Sequence, residues 1–331
     1  MNRKNFLSIF VAMGFIFNGS NFVDARSNPF SDVEIVQLTG DAKKDYIDQK
    51  MDSFFNARYS IPEKKSEYEV PKGWNFKRLE FNGIPVERFS PKKNSTDRIL
   101  LFFHGGGYVG GLNDRYRDWG IHLATMAGNV TLFALDYRIA PVDQYPAALD
   151  DAINAYLGML DSGCDPNKII LLGDSAGGNL AAVFALYLRD HNLPLPKAMI
   201  LLSPWLSMEN SLPSRIQNRA SDQILGEKNQ RLNPEIMDST YTRNQDLRDP
   251  YISPVYGDLS NLPPTLIVAG ADEILLDDTL LFASREQIAG VNVQESIYPG
   301  MSHDWTLIFP ELQESQEMFR EIKSFVDESL K

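Results

Sequence analysis

The chain of 331 residues has little of what several protein classes require. Its single cysteine, Cys164, excludes an internal disulfide. Basic residues are outnumbered, with 32 lysines and arginines against 44 aspartates and glutamates, and the net charge is −12. Because phosphate binding needs a basic surface, this charge argues against nucleic acid as a partner. A hydrophobic content of 43% excludes a disordered chain, and the length fits one large globular domain.

Long apolar runs are also absent, and the N-terminus carries a short one. Basic residues in 1–5 precede the apolar segment 6–17, and polar residues follow as far as a small residue, Ala25. This order is typical of a secretory signal peptide over residues 1–25 and predicts export to the periplasm or the medium. The apolar part is shorter than a membrane span, so we expect no stable span after cleavage. An uncleaved membrane anchor is the alternative.

The rest of the chain, residues 26–331, alternates short apolar runs with amphipathic stretches. Such alternation predicts an α/β fold in which helices cover both faces of a mostly parallel sheet. Expected strands lie at 78–81, 85–89, 98–103, 130–135, 168–172, 198–202, 265–269 and 293–298, and expected helices at 115–127, 147–162, 176–190, 277–289 and 310–330.

Two polar segments, at about 28–74 and 205–250, interrupt this alternation, and we expect them to pack together as a helical cap over the strand ends. Their large apolar side chains either line a substrate pocket or only pack the cap onto the core, and the sequence does not separate these two interpretations. The candidates are Phe54, Phe55, Trp205, Leu206 and Met208.

The run Gly173-Asp174-Ser175-Ala176-Gly177 directly follows the apolar residues 169–172 and opens a helical stretch. A strand, a sharp turn with serine at its apex and a helix form a nucleophile elbow. The turn crowds its neighbours, and Gly173 and Gly177 would relieve that crowding. Ser175 is therefore the predicted nucleophile.

A second motif, His104-Gly105-Gly106-Gly107, follows the apolar run 99–103. A hydroxyl that attacks a carbonyl creates a tetrahedral oxyanion, and amides on a glycine loop can approach that charge closely. We assign donors to Gly106, Gly107 and the amide of Ala176, and keep Gly105 as a further candidate. A glycine-rich turn without a ligand is the alternative, but two motifs in this order favour an oxyanion hole.

A serine hydroxyl needs a general base, and the chain has only four histidines. His104 and His122 precede the serine, whereas the expected chain order is serine, acid, histidine. His191 falls near the end of the elbow helix, where a cation suits the helix dipole. His303 remains, in a loop beyond the last predicted strand, and we predict it as the base.

The acid must lie between the serine and the histidine, beyond a strand. Asp272 is the first carboxylate after the strand at 265–269, and we predict that it orients the imidazole. Glu273 competes through a shift of one residue. Asp277 and Asp278 also compete, but they fit the first turn of the next helix, where carboxylates favour the dipole.

These residues resemble the hormone-sensitive-lipase-like branch of the α/β-hydrolases over most of the chain from about Arg78 onward. The matching segments are His104-Gly105-Gly106-Gly107-Tyr108, Asp136-Tyr137-Arg138-Ile139-Ala140-Pro141, Tyr145-Pro146-Ala147-Ala148-Leu149-Asp150-Asp151-Ala152, Gly173-Asp174-Ser175-Ala176-Gly177-Gly178, Ser253-Pro254, Gly270-Ala271-Asp272 and the His303 loop. One departure follows Asp272, where many relatives carry Asp-Pro-Leu-x-Asp and this chain has Glu273-Ile274-Leu275-Leu276-Asp277.

The resemblance implies hydrolysis of small carboxylic esters of short to medium acyl chain, without a metal or cofactor. It implies a triad of Ser175, Asp272 and His303 and a structural role for His104. The alternatives are a lactonase, deacetylase or amidase with the same triad, or a non-catalytic binding protein of the same fold. The complete set of site residues favours an enzyme, and self-association into a homo-oligomer is left open.

Overall fold

The computed structural model describes residues 26–31, 33–60, 67–229 and 233–331. The predicted signal peptide at 1–25 lies outside the described residues, as do residues 61–66 of the first expected cap segment. Within the described ranges, no helix has both the length and the apolar character needed to cross a bilayer.

Eight strands form one sheet, in the order β1-β2-β4-β3-β5-β6-β7-β8. They are β1 (Trp74–Phe81), β2 (Ile84–Pro91), β3 (Ile99–Phe103), β4 (Thr131–Leu135), β5 (Ile169–Asp174), β6 (Ala198–Leu202), β7 (Thr265–Gly270) and β8 (Val293–Tyr298). The pairs β1–β2 and β2–β4 are antiparallel, and every other neighbouring pair is parallel. The predicted α/β class with a mostly parallel sheet is confirmed.

The helices of the described residues cover this sheet and supply the cap segments. They are α1 (Gly40–Ser60), α2 (Asp114–Met126), α3 (Ala147–Asp161), α4 (Ser175–Asp190), α5 (Ser214–Gln217), α6 (Asn233–Met237), α7 (Leu276–Ile288), α8 (Trp305–Ile308) and α9 (Gln313–Ser329). Helix α2 packs against α9, and α3 packs against α4. Strands β4, β5, β6 and β7 are buried along their whole length, which explains their continuous apolar sequence.

Strand β1 begins four residues before the predicted start, because the pairing with β2 extends to Trp74 opposite Pro91. The two strands are joined by Asn82 and Gly83, which both have positive φ, at 50° and 84°. A two-residue turn of this kind matches the twist of the hairpin. The pairing with β2 therefore determines where β1 begins. A search for apolar runs misses this start because polar residues such as Lys77 interrupt the run.

The chain leaves β3 toward β4 on one side and leaves β5 toward β6 on the other. Ligands of open α/β sheets bind at the carboxyl ends of strands where the order reverses in this way. The glycine motif at 104–107 follows β3, and Ser175 follows β5. Both motifs therefore meet at the reversal point of the sheet.

The two segments expected to form the cap differ in structure. The first is helical, as α1, whereas the segment 205–250 is mostly turns, with only the short α5 and α6 in its described part. Its many Asn, Asp, Ser and Pro residues favour turns over helix. The two segments touch where the Gln223 amide donates to Asp48 at 2.5 Å. Their action as a lid stays a prediction.

Candidate active site

Ser175 lies at the sharp turn between β5 and α4, with φ at +51°. A non-glycine residue in this region is strained, and the surrounding backbone must hold it there. A Cβ at Gly173 would lie 2.2 Å from the Gly177 carbonyl oxygen, and one at Gly177 would lie 2.0 Å from the carbonyl oxygen of Phe103. The glycines therefore allow the close backbone approach that the sequence predicted for this turn.

His303 lies beyond β8, and its ring connects the serine to a carboxylate. Its Nε2 is 2.9 Å from Ser175 Oγ, and its Nδ1 is 3.0 Å from Oε2 of Glu273. Ser175 is 3% exposed and His303 2% exposed, so water is largely excluded from this contact. The arrangement can move a proton from the hydroxyl to the imidazole while the carboxylate fixes the ring.

The structure contradicts the prediction of Asp272 as the acid. The amide of Asp272 donates to the Met301 carbonyl at 3.0 Å, and its side chain stays partly exposed. Strand β7 runs on to Gly270, and the turn after it buries the side chain of Glu273 rather than that of Asp272. Glu273 is fully buried, and its longer side chain reaches back to the histidine. Of the two neighbouring carboxylates, Glu273 is therefore the one that contacts the imidazole.

Glu273 is held by donors on both sides of its carboxylate. Oε1 accepts hydrogen bonds from the Gly270 amide and from the hydroxyl of Ser203 at 2.9 Å, while Oε2 faces His303. Ser203 also accepts a hydrogen bond from the amide of Asp304 at 3.2 Å. It therefore connects the loop 271–274, here called the acid loop, to the loop that carries His303. A buried carboxylate with this many partners has a fixed orientation.

The segment 205–250 also supports the acid loop, a role that the sequence analysis missed. Side chains of this segment donate to the backbone carbonyl of each residue from 271 to 274. The bonds are Asn218 to Ala271 at 2.9 Å and to Glu273 at 2.9 Å, Ser221 to Asp272 at 3.1 Å, and Ser214 and Arg215 to Ile274 at 2.8 and 2.6 Å. Part of the expected cap, residues 214–222, is thus a brace that holds the loop carrying Glu273.

Two buried carboxylates complete this brace. Asp222 accepts from the Ile274 amide at 2.9 Å, directly after the acid, and Asp278 forms an ion pair with Arg215 at 2.7 Å. Both side chains of that ion pair are fully buried. The only sequence signal for the brace is the clustering of Ser, Arg, Asn and Asp at 214–222. The same residue types are typical of ordinary turns, so the sequence does not distinguish the two.

The glycine loop has two free donors rather than three. The amide of Gly105 donates to Asp174 Oδ1 at 2.9 Å, so the structure removes Gly105 from the predicted oxyanion donors. A Cβ at Gly105 would lie 2.2 Å from the other Asp174 oxygen, so this position has no room for a side chain. In the described part of the chain, the amides of Gly106 and Gly107 donate to no other residue. Ala176 is in the first turn of α4, where amides lack helical acceptors.

The other histidines have structural contacts. The His104 ring stacks on Tyr137 with centroids 4.2 Å apart, and its Nδ1 is 2.8 Å from the Gly105 carbonyl. Burial lowers the pKa of His104 and of His122 to about 4, so both rings are neutral at pH 7. His191 ends α4 and contacts the Tyr187 carbonyl at 2.8 Å.

The predicted pocket residues of the second segment are core residues. Trp205 and Leu206 are fully buried and Met208 is 3% exposed, which supports the packing interpretation. Phe54 is partly buried beside Arg115, and the side chain of Phe55 lies outside the described part.

Asn179 of α4 fastens both ends of this segment to the core. Its amide donates to the carbonyls of Trp205 and Ile252 at 2.8 and 2.9 Å, and its oxygen accepts from the Tyr108 hydroxyl at 2.6 Å. Tyr241 stacks on Tyr108 with centroids 3.9 Å apart, so the segment covers the glycine loop.

Carboxylates dominate the electrostatics around the imidazole. Burial alone would lower the pKa of His303, but Asp304 and Glu273 raise it well above 6.5. Burial raises the pKa of Glu273, and the hydrogen bond from His303 opposes that rise. Desolvation also raises the pKa of Asp174 and Asp222, and the positive imidazolium opposes both rises. The site therefore favours the protonated imidazole.

Comparisons with known proteins show which fold and which enzymes this chain is similar to. A family model for the alpha/beta hydrolase fold matches residues 100–307. An acetyl-hydrolase of Streptomyces hygroscopicus is 36% identical over 229 residues, which cover 69% of this chain and 75% of the relative. An esterase of Acinetobacter venetianus is 30% identical over 249 residues, covering 75% of this chain and 80% of the relative. A crystal structure of an esterase from the bacterial hormone-sensitive lipase family superimposes with a TM-score of 0.77 at 30% identity, covering 89% of this chain and all of that chain.

Proposed function

Because this chain belongs to the α/β-hydrolase fold family and is a carboxylesterase, we propose that Ser175, His303 and Glu273 form its catalytic triad. One observation carries the proposal: Nε2 of the imidazole faces the serine hydroxyl at 2.9 Å while Nδ1 faces the carboxylate at 3.0 Å. This order of nucleophile, base and orienting acid is the arrangement that acyl transfer requires.

The reaction then proceeds in two acyl transfers. Ser175 attacks the ester carbonyl as His303 accepts its proton, and the free amides of Gly106, Gly107 and Ala176 stabilise the oxyanion. The imidazolium protonates the leaving alcohol and leaves an acyl-enzyme. A water molecule then gives a proton to the same imidazole as it attacks the acyl group, and the imidazolium returns that proton to Ser175 Oγ as the acid leaves. Glu273 keeps Nδ1–H in place through both steps.

We also propose esters of short to medium acyl chain as substrates. Ser175 is nearly enclosed, and Tyr241 and its neighbours cover the adjacent glycine loop. A Cβ added to Gly107 would lie 3.7 Å from Cγ of Glu235, so a polar side chain stands close to the expected oxyanion site. The named activity of the Streptomyces relative, an acetyl-hydrolase, fits a small acyl group.

Export is a separate proposal, based on the signal-like residues 1–25. Arg26, the first residue after the predicted cleavage site, is bound to the body of the enzyme by Asp118 at 2.5 and 2.7 Å. We expect N-terminal sequencing of protein secreted by the native host to begin at Arg26. An intact Met1 in that protein would refute cleavage.

The test of the activity is an acyl-length series of p-nitrophenyl esters from acetate to palmitate, with Ser175→Ala as the control. We expect the highest kcat/KM on acetate to butyrate and no activity above background in the variant. Equal rates for wild type and variant would remove the enzyme mechanism proposed here, and a maximum on palmitate would overturn the acyl-chain proposal alone. Lactone and amide substrates then separate the remaining hydrolase classes.

A further inference from the structure

Asp304, directly after the base, contributes a second carboxylate to the imidazole. It has a left-handed backbone conformation, with φ at 47° and ψ at 34°, and it precedes α8. It is 8% exposed, and its amide donates to the hydroxyl of Ser203. Because Asp tolerates this conformation better than most residues, the loop can aim the side chain back at the ring.

The Asp304 carboxylate reaches the nitrogen that serves the serine. Its Oδ2 is 3.1 Å from Nε2 of His303, and Ser175 Oγ is 2.9 Å from the same nitrogen. Glu273 occupies the opposite nitrogen at 3.0 Å. The imidazole therefore lies between two carboxylates, only one of which belongs to the proposed triad.

A carboxylate at Nε2 distinguishes between the two protonation states of the ring. An ionised carboxylate only accepts hydrogen bonds, so it binds an Nε2–H and repels an Nε2 lone pair. The neutral base that takes the serine proton presents this lone pair. Asp304 therefore stabilises the imidazolium, both in the free enzyme and in the transition states in which the ring carries the proton.

The charged groups that act most strongly on the ring are the carboxylates of Asp304 and Glu273. Besides Asp304, three elements packed around the ring contribute carboxylates: Asp174 at the end of β5, Asp222 from the brace and Glu273 after β7. The neighbouring hydroxyls of Ser175 and Ser203 are neutral. Of these carboxylates, Asp304 alone contacts Nε2. Its charge consequently acts at the atom that exchanges the proton.

We propose that Asp304 is a positioning residue that holds His303 in its protonated form, so that ester cleavage begins at higher pH and uses a stronger base. This inference rests on the proposed triad and goes beyond it. In its absence the ring would lose its proton at lower pH and would be a weaker general base. The enzyme would then work at lower pH but more slowly at its plateau.

The experiment compares the pH dependence of kcat/KM on p-nitrophenyl acetate for wild type and Asp304→Asn. Asn adopts the same backbone conformation, and its amide can donate to the neutral Nε2. We expect the midpoint of the acid limb to fall by about one pH unit or more, since a charge within contact distance moves a pKa by this much. We also expect a several-fold lower plateau, so the two profiles cross.

Asp272→Asn is the matched control, because this nearby carboxylate does not contact the ring. Its acid limb should stay within a few tenths of a pH unit of wild type. If Asp304→Asn does not fold, Asp304→Gly removes the carboxylate and also permits the left-handed conformation.

The outcomes separate this inference from the proposed function. A wild-type protein without esterase activity would refute the triad. An active wild type with a parallel, unshifted profile for Asp304→Asn would overturn the role of Asp304 and leave the triad intact.

Discussion

Glu273 places its Oε2 3.0 Å from Nδ1 of His303, although Asp272 is the first carboxylate after the strand. Replacing Glu273 by Gln should lower kcat by about ten-thousandfold, because the imidazole would lose its orienting acceptor and adopt the wrong tautomer. Steady-state kinetics on p-nitrophenyl acetate measure the effect. Asp272→Asn should retain near wild-type kcat, and a larger loss in this variant than in Glu273→Gln would restore Asp272 as the acid.

The serine and the histidine should be equivalent in their effect on turnover. Ser175→Ala and His303→Ala each remove an essential part of the proton transfer, and each should lower kcat by about a millionfold, as in triads that act as a unit. The double variant should lose little more than either single one. Additive losses in the double variant would show that the two residues act independently.

Replacing a glycine of the elbow by a larger residue should lower the stability of the protein. A Cβ at Gly177 would lie 2.0 Å from the Phe103 carbonyl oxygen, and backbone atoms there cannot move aside easily. Gly177→Ala should therefore lower the free energy of unfolding by about 1–3 kcal/mol, as overpacking of a rigid site does. Gly111→Ala is the control, since its nearest neighbour would be Ile139 at 3.7 Å. Chemical denaturation with equal midpoints for both variants would contradict this packing.

The brace should contribute to catalysis through the acid loop. Asn218 donates to the carbonyls of Ala271 and Glu273, and Asn218→Ala should cost about 1–3 kcal/mol of stability because buried acceptors lose their partners. We expect kcat to fall about tenfold with KM little changed, since the carboxylate would be less well fixed. Ser221→Ala, whose hydroxyl makes only exposed contacts with the carbonyls of Asn218 and Asp272, is the control. Unchanged kcat in the Asn218 variant would reduce the brace to a packing role.

The buried carboxyl of Glu286, which lies outside the candidate active site, should make the stability of the protein depend on pH. Burial raises the pKa of its carboxyl to about 8, and the Thr265 hydroxyl donates to it at 2.9 Å. Between about pH 4.5 and 8 the folded state keeps a proton that the unfolded state has lost, so stability falls as the pH rises through this range.

Glu286→Gln removes this titration and can still accept the bond from Thr265. The variant should gain about 1–3 kcal/mol of stability over wild type at pH 8 and little near pH 4.5. Thermal unfolding at several pH values measures the difference. A gain that is constant across this range would contradict the buried, protonated carboxyl.

The sequence predicted the sheet and the sharp turn at Ser175 well because their signals are local. Short apolar runs such as 198–202 report burial on both faces, and a serine between Gly173 and Gly177 reports a turn that only glycines permit. Ser175 and His303 meet in the structure as expected, since each follows a parallel strand and such strands end on the same edge. Their catalytic roles stay predictions.

The acid and the donor loop were less predictable because they depend on tertiary contacts. Asp272 and Glu273 differ by one position, and the choice depends on how far β7 extends and on which side chain Ser203 can reach. The sequence offers Gly105 as a candidate donor, but in the structure its amide donates to Asp174. The brace at 214–222 contacts residues about fifty positions further along the chain. Hydrophobic periodicity predicts local helices and strands and gives no information about contacts over such a separation.

Covalent labelling tests the central claim most directly. A p-nitrophenyl phosphonate should react once per chain, and peptide mass spectrometry should locate the added group on Ser175. Labelling should be slowed strongly in Glu273→Gln and hardly in Asp272→Asn. Attachment of the phosphonate to any other residue, with full loss of activity, would contradict the triad of Ser175, His303 and Glu273.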